Sequence, residues 1–161
     1  MAEINQPLNF AMPVTGRIIP ITDVDDEVFS QKMMGDGFAI EPNDGKIVSP
    51  VDGTIVTVFP TKHAIGIESK EGYEVLIHVG LDTVNLNGEG FEQLVTEGDQ
   101  VTQGDALLTA DLQVIKEKAP STVTPIVFTN LKDDQYVKIL KDGKQDSGAE
   151  GIIEIASVED K

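Results

Sequence analysis

Pro13-Val14-Thr15-Gly16-Arg17-Ile18-Ile19 returns further along the chain as Pro50-Val51-Asp52-Gly53-Thr54-Ile55-Val56. Each copy reads as a turn feeding a strand, with its glycine expected to supply a positive φ. Two related turns follow, Glu97-Gly98-Asp99-Gln100-Val101 and Gln103-Gly104-Asp105-Ala106-Leu107. So few copies, without a fixed short period, indicate a duplicated β-hairpin unit and not a solenoid.

Outward from these turns, glycine and proline punctuate short apolar runs, most of which alternate with period two. The expected strands are Arg17 to Ile21, Lys46 to Val48, Thr54 to Phe59, Ala64 to Glu68, Glu74 to Val79, Ala106 to Ala110, Val123 to Thr129 and Gly151 to Ala156. The pattern is all-β and the count suits a sandwich or barrel. Two short helical segments interrupt it. Val24, Val28, Phe29 and Met33 recur at near-helical spacing behind Asp23 as N-cap and ahead of Gly35, and Leu112 to Lys118 lies between Asp111 and Pro120.

The 161 residues, 40% hydrophobic, suffice for one compact domain over 1–161 without staples. With no cysteine, thiol nucleophiles, iron–sulfur clusters and disulfides are excluded, which fits a reducing compartment. No apolar run is long enough to span a bilayer and the opening residues do not read as a signal peptide, so a cytoplasmic chain is expected. A net charge of −16, with Arg17 the only arginine, makes nucleic acid and anionic membrane poor partners.

Only two histidines occur, His63 and His78, each in or beside an expected strand. A lone strand histidine is more often structural than catalytic. As a pair they read differently, because neighbouring antiparallel strands joined by the turn at Lys70, Glu71 and Gly72 could bring their rings together. Alternation puts Glu74, Leu76 and His78 on one face and Tyr73, Val75, Ile77 and Val79 on the other. Leu76 hints at a face that is apolar yet unburied. Gly80 marks either a close approach by a partner or phosphate, or a plain strand end. Motifs of P-loops, nucleophile elbows, zincins and calcium loops are missing. The stretch from Glu97 to Leu107 resembles hairpins of biotinyl and lipoyl carriers but lacks the lysine they modify.

Gly72 followed by Val75-Leu76-Ile77-His78-Val79-Gly80-Leu81-Asp82-Thr83-Val84 resembles the signature of the glucose-type IIA component of the bacterial phosphoenolpyruvate-dependent sugar phosphotransferase system. Pro50 to Ile55, Thr61 to Ser69, Val28-Phe29, Gly35-Asp36-Gly37, Gly88 to Phe91, Glu117-Lys118-Ala119 and Ser121 to Pro125 resemble it too, in order and spacing. The match covers about 13–140, leaving a short N-terminal lead and a C-terminal segment that matches less closely. Met1 to Met12 lacks the basic amphipathic tail of the enteric relative, so no direct membrane anchor is evident.

The resemblance implies an antiparallel β-sandwich with a duplicated hybrid motif and the activity of a phosphotransferase component in sugar uptake. It implies His78 as phosphoryl acceptor, His63 as a donor that stabilises the phosphate, and Thr61 as support. It places Asp26 and Asp82 beside the site, facing basic residues of partners. Phe29, Met33, Met34, Phe59, Leu76, Val79 and Val84 would form an exposed apolar docking ring, although without the resemblance all seven read as core. The implied partners are the histidine phosphocarrier protein HPr, a sugar-specific IIB domain, and regulated enzymes or transporters. No cofactor is required; His63 and His78 could ligate zinc within a partner complex. Two rivals stand beside this reading: a zinc hydrolase of LytM-type architecture, for which two histidines are a thin ligand set, and a non-catalytic acidic interaction module.

Overall fold

The computed structural model describes residues 8–157; the first seven residues of the N-terminal lead and residues 158–161 lie outside the described residues. An antiparallel eight-stranded sheet runs in the order β12 (Gly143–Gln145), β1 (Gly16–Pro20), β2 (Asp36–Pro42), β10 (Thr124–Phe128), β6 (Glu74–His78), β5 (Ala64–Ser69), β4 (Gly53–Val58) and β8 (Gln100–Val101). Against it packs a three-stranded sheet of β3 (Lys46–Val48), β9 (Ala106–Ala110) and β7 (Phe91–Gln93), and β11 (Gln135–Ile139) pairs with β13 (Ile153–Ser157). Two short helices, α1 (Glu27–Ser30) and α2 (Leu112–Lys118), complete this β-sandwich.

The main core lies between the two larger sheets. It joins Ile18, Phe38, Ile40, Val75, Ile77 and Phe128 of the large sheet to Ile47, Leu107, Leu108 and Phe91 of the small one. Burial of such aliphatic and aromatic surface, at about 25 cal/mol per Å², is the main force holding the sandwich closed. A second, smaller cluster covers the outer face of the large sheet, where Ile21, Val24 and Phe29 fold over Ala39, Ala64, Leu76 and Val127. Strand alternation produces both: in β6 the odd-numbered Val75 and Ile77 enter the main core, and Leu76 enters the second.

The repeat is real, but half of its expected mechanism changes. Gly16 and Gly53 each open a strand, and neither has a positive φ. They are glycines because a Cβ would collide with the carbonyl oxygens of Glu41 and Glu68 on the paired strands. The second pair of turns is built alike. Thr96 N–H donates to Asp99 Oδ2 at 2.9 Å and Thr102 N–H to Asp105 Oδ2 at 2.8 Å, and Gly98 and Gly104 both take positive φ.

All eight expected strands form, with ends shifted by a residue or two. Five others, β2, β7, β8, β11 and β12, were not expected. β2 is covered on both faces, so Phe38, Ala39 and Ile40 run apolar without alternation. The first helix is shorter than expected and its cap differs. Asp26, not Asp23, is the N-cap, accepting from Val28 N–H at 3.0 Å, whereas Asp23 closes a 3-10 turn over Ile21–Asp23. The helix after Asp111 forms as expected, with Asp111 accepting from Gln113 and Val114. Among the described residues no helix is long and apolar enough to cross a membrane.

Candidate functional site

His63 stands one residue before β5 and His78 is the last residue of β6. The two strands pair with Ala64 opposite His78, and Val79 N–H donates to His63 O at 2.7 Å, which closes the ladder beside the site. That register brings the imidazoles edge to face, with centroids 4.8 Å apart and planes at 79°. The expected meeting of the two rings therefore occurs.

His78 Nδ1 lies 2.8 Å from the carbonyl oxygen of Gly80. A carbonyl only accepts, so Nδ1 carries the proton and donates it, and Nε2 keeps a free lone pair. Burial is the largest influence on the His78 pKa and lowers it, against the raising effects of the Gly80 carbonyl, Asp26 and Asp82. The ring is neutral near pH 7, the state a nucleophile needs. His63 is only 2% exposed, and burial together with the neighbouring His78 pushes its pKa down to about 4. Its Nδ1 shares a 2.6 Å hydrogen bond with Thr61 Oγ1. Aromatic rings back both histidines: Phe29 lies 5.0 Å from His78 and Phe59 lies 5.4 Å from His63, centroid to centroid.

The apolar ring needs correction. Phe29 and Leu76 are buried in the second cluster because the segment from Ile21 to Phe29 folds over that face, and Val79 is buried in the main core. The expectation of an unburied face at Leu76 fails for the same reason. Met33, 70% exposed, and Met34 remain at the surface, with Phe59 half-buried between the two conditions. Val84 belongs to the 3-10 turn Thr83–Leu86, but its side chain lies outside the described residues. Asp26 is half-buried and Asp82 exposed; neither is ion-paired to a lysine or arginine among the described residues. Of the two readings of Gly80 the strand end holds, since β6 stops at His78. A Cβ there would stand 2.5 Å from Thr83 Cγ2 and 3.0 Å from Ser121 O, so its missing side chain makes room for the protein's own interior and not for a ligand. The contribution of Gly80 to the site is its carbonyl, which no side-chain pattern announces.

The comparisons with known proteins agree with this geometry. A model of the phosphoenolpyruvate-dependent sugar phosphotransferase system, EIIA 1 family matches residues 8–134. The chain belongs to that family. It is 60% identical over 119 residues to the glucose-specific EIIA component of Halalkalibacterium halodurans, covering 74% of this chain and 69% of that protein. It is 56% identical over 136 residues to the glucose-specific EIICBA component of Staphylococcus saprophyticus, covering 84% of this chain. It is 58% identical over 130 residues to the glucosamine-specific EIICBA component of Bacillus subtilis, covering 81% of this chain. The chain spans only 20% and 21% of those two relatives. The solved glucose permease IIA from Mycoplasma capricolum superposes with a TM-score of 0.86 at 46% identity, covering 95% of this chain and 99% of that one.

Membership of this family makes the chain an EIIA-type component of the phosphoenolpyruvate-dependent sugar phosphotransferase system. The zinc-hydrolase alternative receives no support from these similarities. Among the described residues no group of three or more His, Cys, Asp or Glu is placed to hold a metal ion. Both Nδ1 atoms are engaged in hydrogen bonds, and two histidines fall short of the four ligands zinc usually takes.

Proposed function

We propose that the chain accepts a phosphoryl group from phospho-HPr on Nε2 of His78 and passes it to a sugar-specific IIB domain. The observation that carries this reading is the hydrogen bond from His78 Nδ1–H to Gly80 O, which leaves Nε2 unprotonated. In the transfer, the Nε2 lone pair forms the new N–P bond while the donor's N–P bond breaks and its electron pair stays on the donor nitrogen. Such a transfer asks mainly for positioning and charge stabilisation.

The arriving group brings about two negative charges to a protein already at −16. His63 is the nearest ring donor. In the tautomer with its proton on Nε2, His63 accepts at Nδ1 from the Thr61 hydroxyl and can donate Nε2–H to a phosphoryl oxygen. A phosphoryl dianion beside that ring would also favour its protonated form, against the burial that keeps it neutral when the site is empty. Asp26 and Asp82, without a basic partner among the described residues, are suited to meet basic residues of HPr or the IIB domain, and the exposed Met33 and Met34 supply apolar contact.

Incubation with phosphoenolpyruvate, enzyme I and HPr should add one acid-labile phosphoryl group to the protein. The mass increment should vanish in His78→Ala. Phosphate that persists in a folded His78→Ala protein, or that maps to His63 or a hydroxyl, would refute the assignment.

A further inference from the structure

The role proposed for His78 requires its proton to stay on Nδ1, and the peptide responsible is itself held in place. The Gly80–Leu81 peptide turns its carbonyl to His78 Nδ1 at 2.8 Å, while its N–H donates to Ser121 O at 3.1 Å. The peptide before it is fixed from another direction: Val79 O accepts from Thr83 Oγ1 at 2.6 Å, and Thr83 is fully buried. Within this turn Gly80 has φ 79° and Asp82, a residue with a side chain, has φ 56°. Left-handed backbone at a non-glycine persists only where its surroundings over-determine it. The Thr83 methyl supplies part of that constraint, lying where a side chain on Gly80 would be.

We propose that Thr83 is a positioning residue for phosphoryl transfer, its hydroxyl and methyl locking the turn 79–83 so that the Gly80 carbonyl keeps His78 in its Nδ1–H form. The proposal rests on the reading of His78 as acceptor. Thr83 touches no reacting atom and acts through Gly80. Valine in its place keeps the shape but leaves the buried Val79 carbonyl without its donor, a deficit the turn relieves by rotating its peptides. Once Gly80 O moves away, the ring samples the Nε2–H form, which has no lone pair at the attacking nitrogen.

The test measures imidazole ¹⁵N shifts of the full chain, which report the tautomer, beside the rate of phosphoryl acceptance from HPr. Wild type should show the Nδ1–H form alone. Thr83→Val should bring in the Nε2–H form and slow acceptance about tenfold, short of the about 10⁴-fold that a wrong tautomer costs in a serine-protease triad. Thr83→Ser keeps the donor and should keep both the tautomer and most of the rate. An unchanged tautomer in folded Thr83→Val overturns the proposal, whether or not the rate falls. Should Thr83→Val fail to fold, the wild-type hydroxyl proton decides: slow exchange with solvent supports the lock and fast exchange overturns it. No phosphate on His78 in the wild type would instead overturn the acceptor reading, and the tautomer comparison would still stand or fall on its own.

Discussion

Phe29→Ala should both destabilise the protein and release His78 from its unusual environment. Phe29 is the one buried residue of α1, 4% exposed, and its ring lies 5.0 Å from that of His78. Truncating a buried phenylalanine costs about 3–5 kcal/mol. A helix of only four residues at the surface can settle partly into the gap, which favours the lower end, about 3 kcal/mol. At about 2–4 °C per kcal/mol for a domain of this size, the Tm should fall by about 6–12 °C. Burial is what lowers the His78 pKa, so admitting water beside the ring should raise it toward its ordinary value of 6.5. Less of the ring would then be neutral near pH 7. Calorimetry gives the first quantity and a proton NMR titration of the imidazole the second. Met33→Ser is the companion: at 70% exposure it should change stability within about ±0.5 kcal/mol while weakening HPr binding. A Phe29→Ala protein whose Tm shifts by less than about 2 °C, with the His78 titration unmoved, would refute the view of Phe29 as a core cover over the site.

Three further outcomes are expected. His63, with a folded pKa of about 4 against an ordinary 6.5, stays neutral while the unfolded chain takes up a proton, so its contribution to stability is complete above about pH 6.5 and is lost progressively as pH falls toward 4. His63→Gln should flatten that limb of a denaturation curve measured against pH, and should still accept phosphate from HPr but pass it on slowly, since glutamine retains an N–H donor without exchanging protons. Asp82→Arg should slow association with HPr and flatten its salt dependence in stopped-flow mixing, and unchanged kinetics would remove Asp82 from the interface. Calorimetric titration with Zn²⁺ should find no tight site in the isolated chain; stoichiometric zinc that survives chelation would revive the hydrolase reading.

Local pattern carried the site further than it carried the fold. Alternation through Glu74 to Val79 correctly divided β6 between two faces, and the short turn at Lys70 to Gly72 correctly paired it with β5, so the histidines were bound to meet. Burial of Leu76 was not legible, because it depends on Ile21, Val24 and Phe29 returning across the sheet from a distant part of the chain. β11 was missed for a similar reason. Its residues are mostly half-exposed, and it is tied down by Val137 N–H donating to Asp36 Oδ2 at 2.8 Å, a bond across most of the chain length. The repeated glycines at Gly16 and Gly53 look like turn formers in the sequence, yet close approach of paired carbonyls is what requires them. The Nδ1–H form of His78 rests on the carbonyl of Gly80, a backbone atom that no side-chain pattern announces.

The atom that receives phosphorus is the most direct test of the account. The chain, labelled with ¹⁵N at histidine and phosphorylated through HPr, should show ³¹P coupling to Nε2 of His78, with Nδ1 still protonated and bonded to Gly80 O. Coupling to Nδ1 of His78, or to either nitrogen of His63, would contradict it.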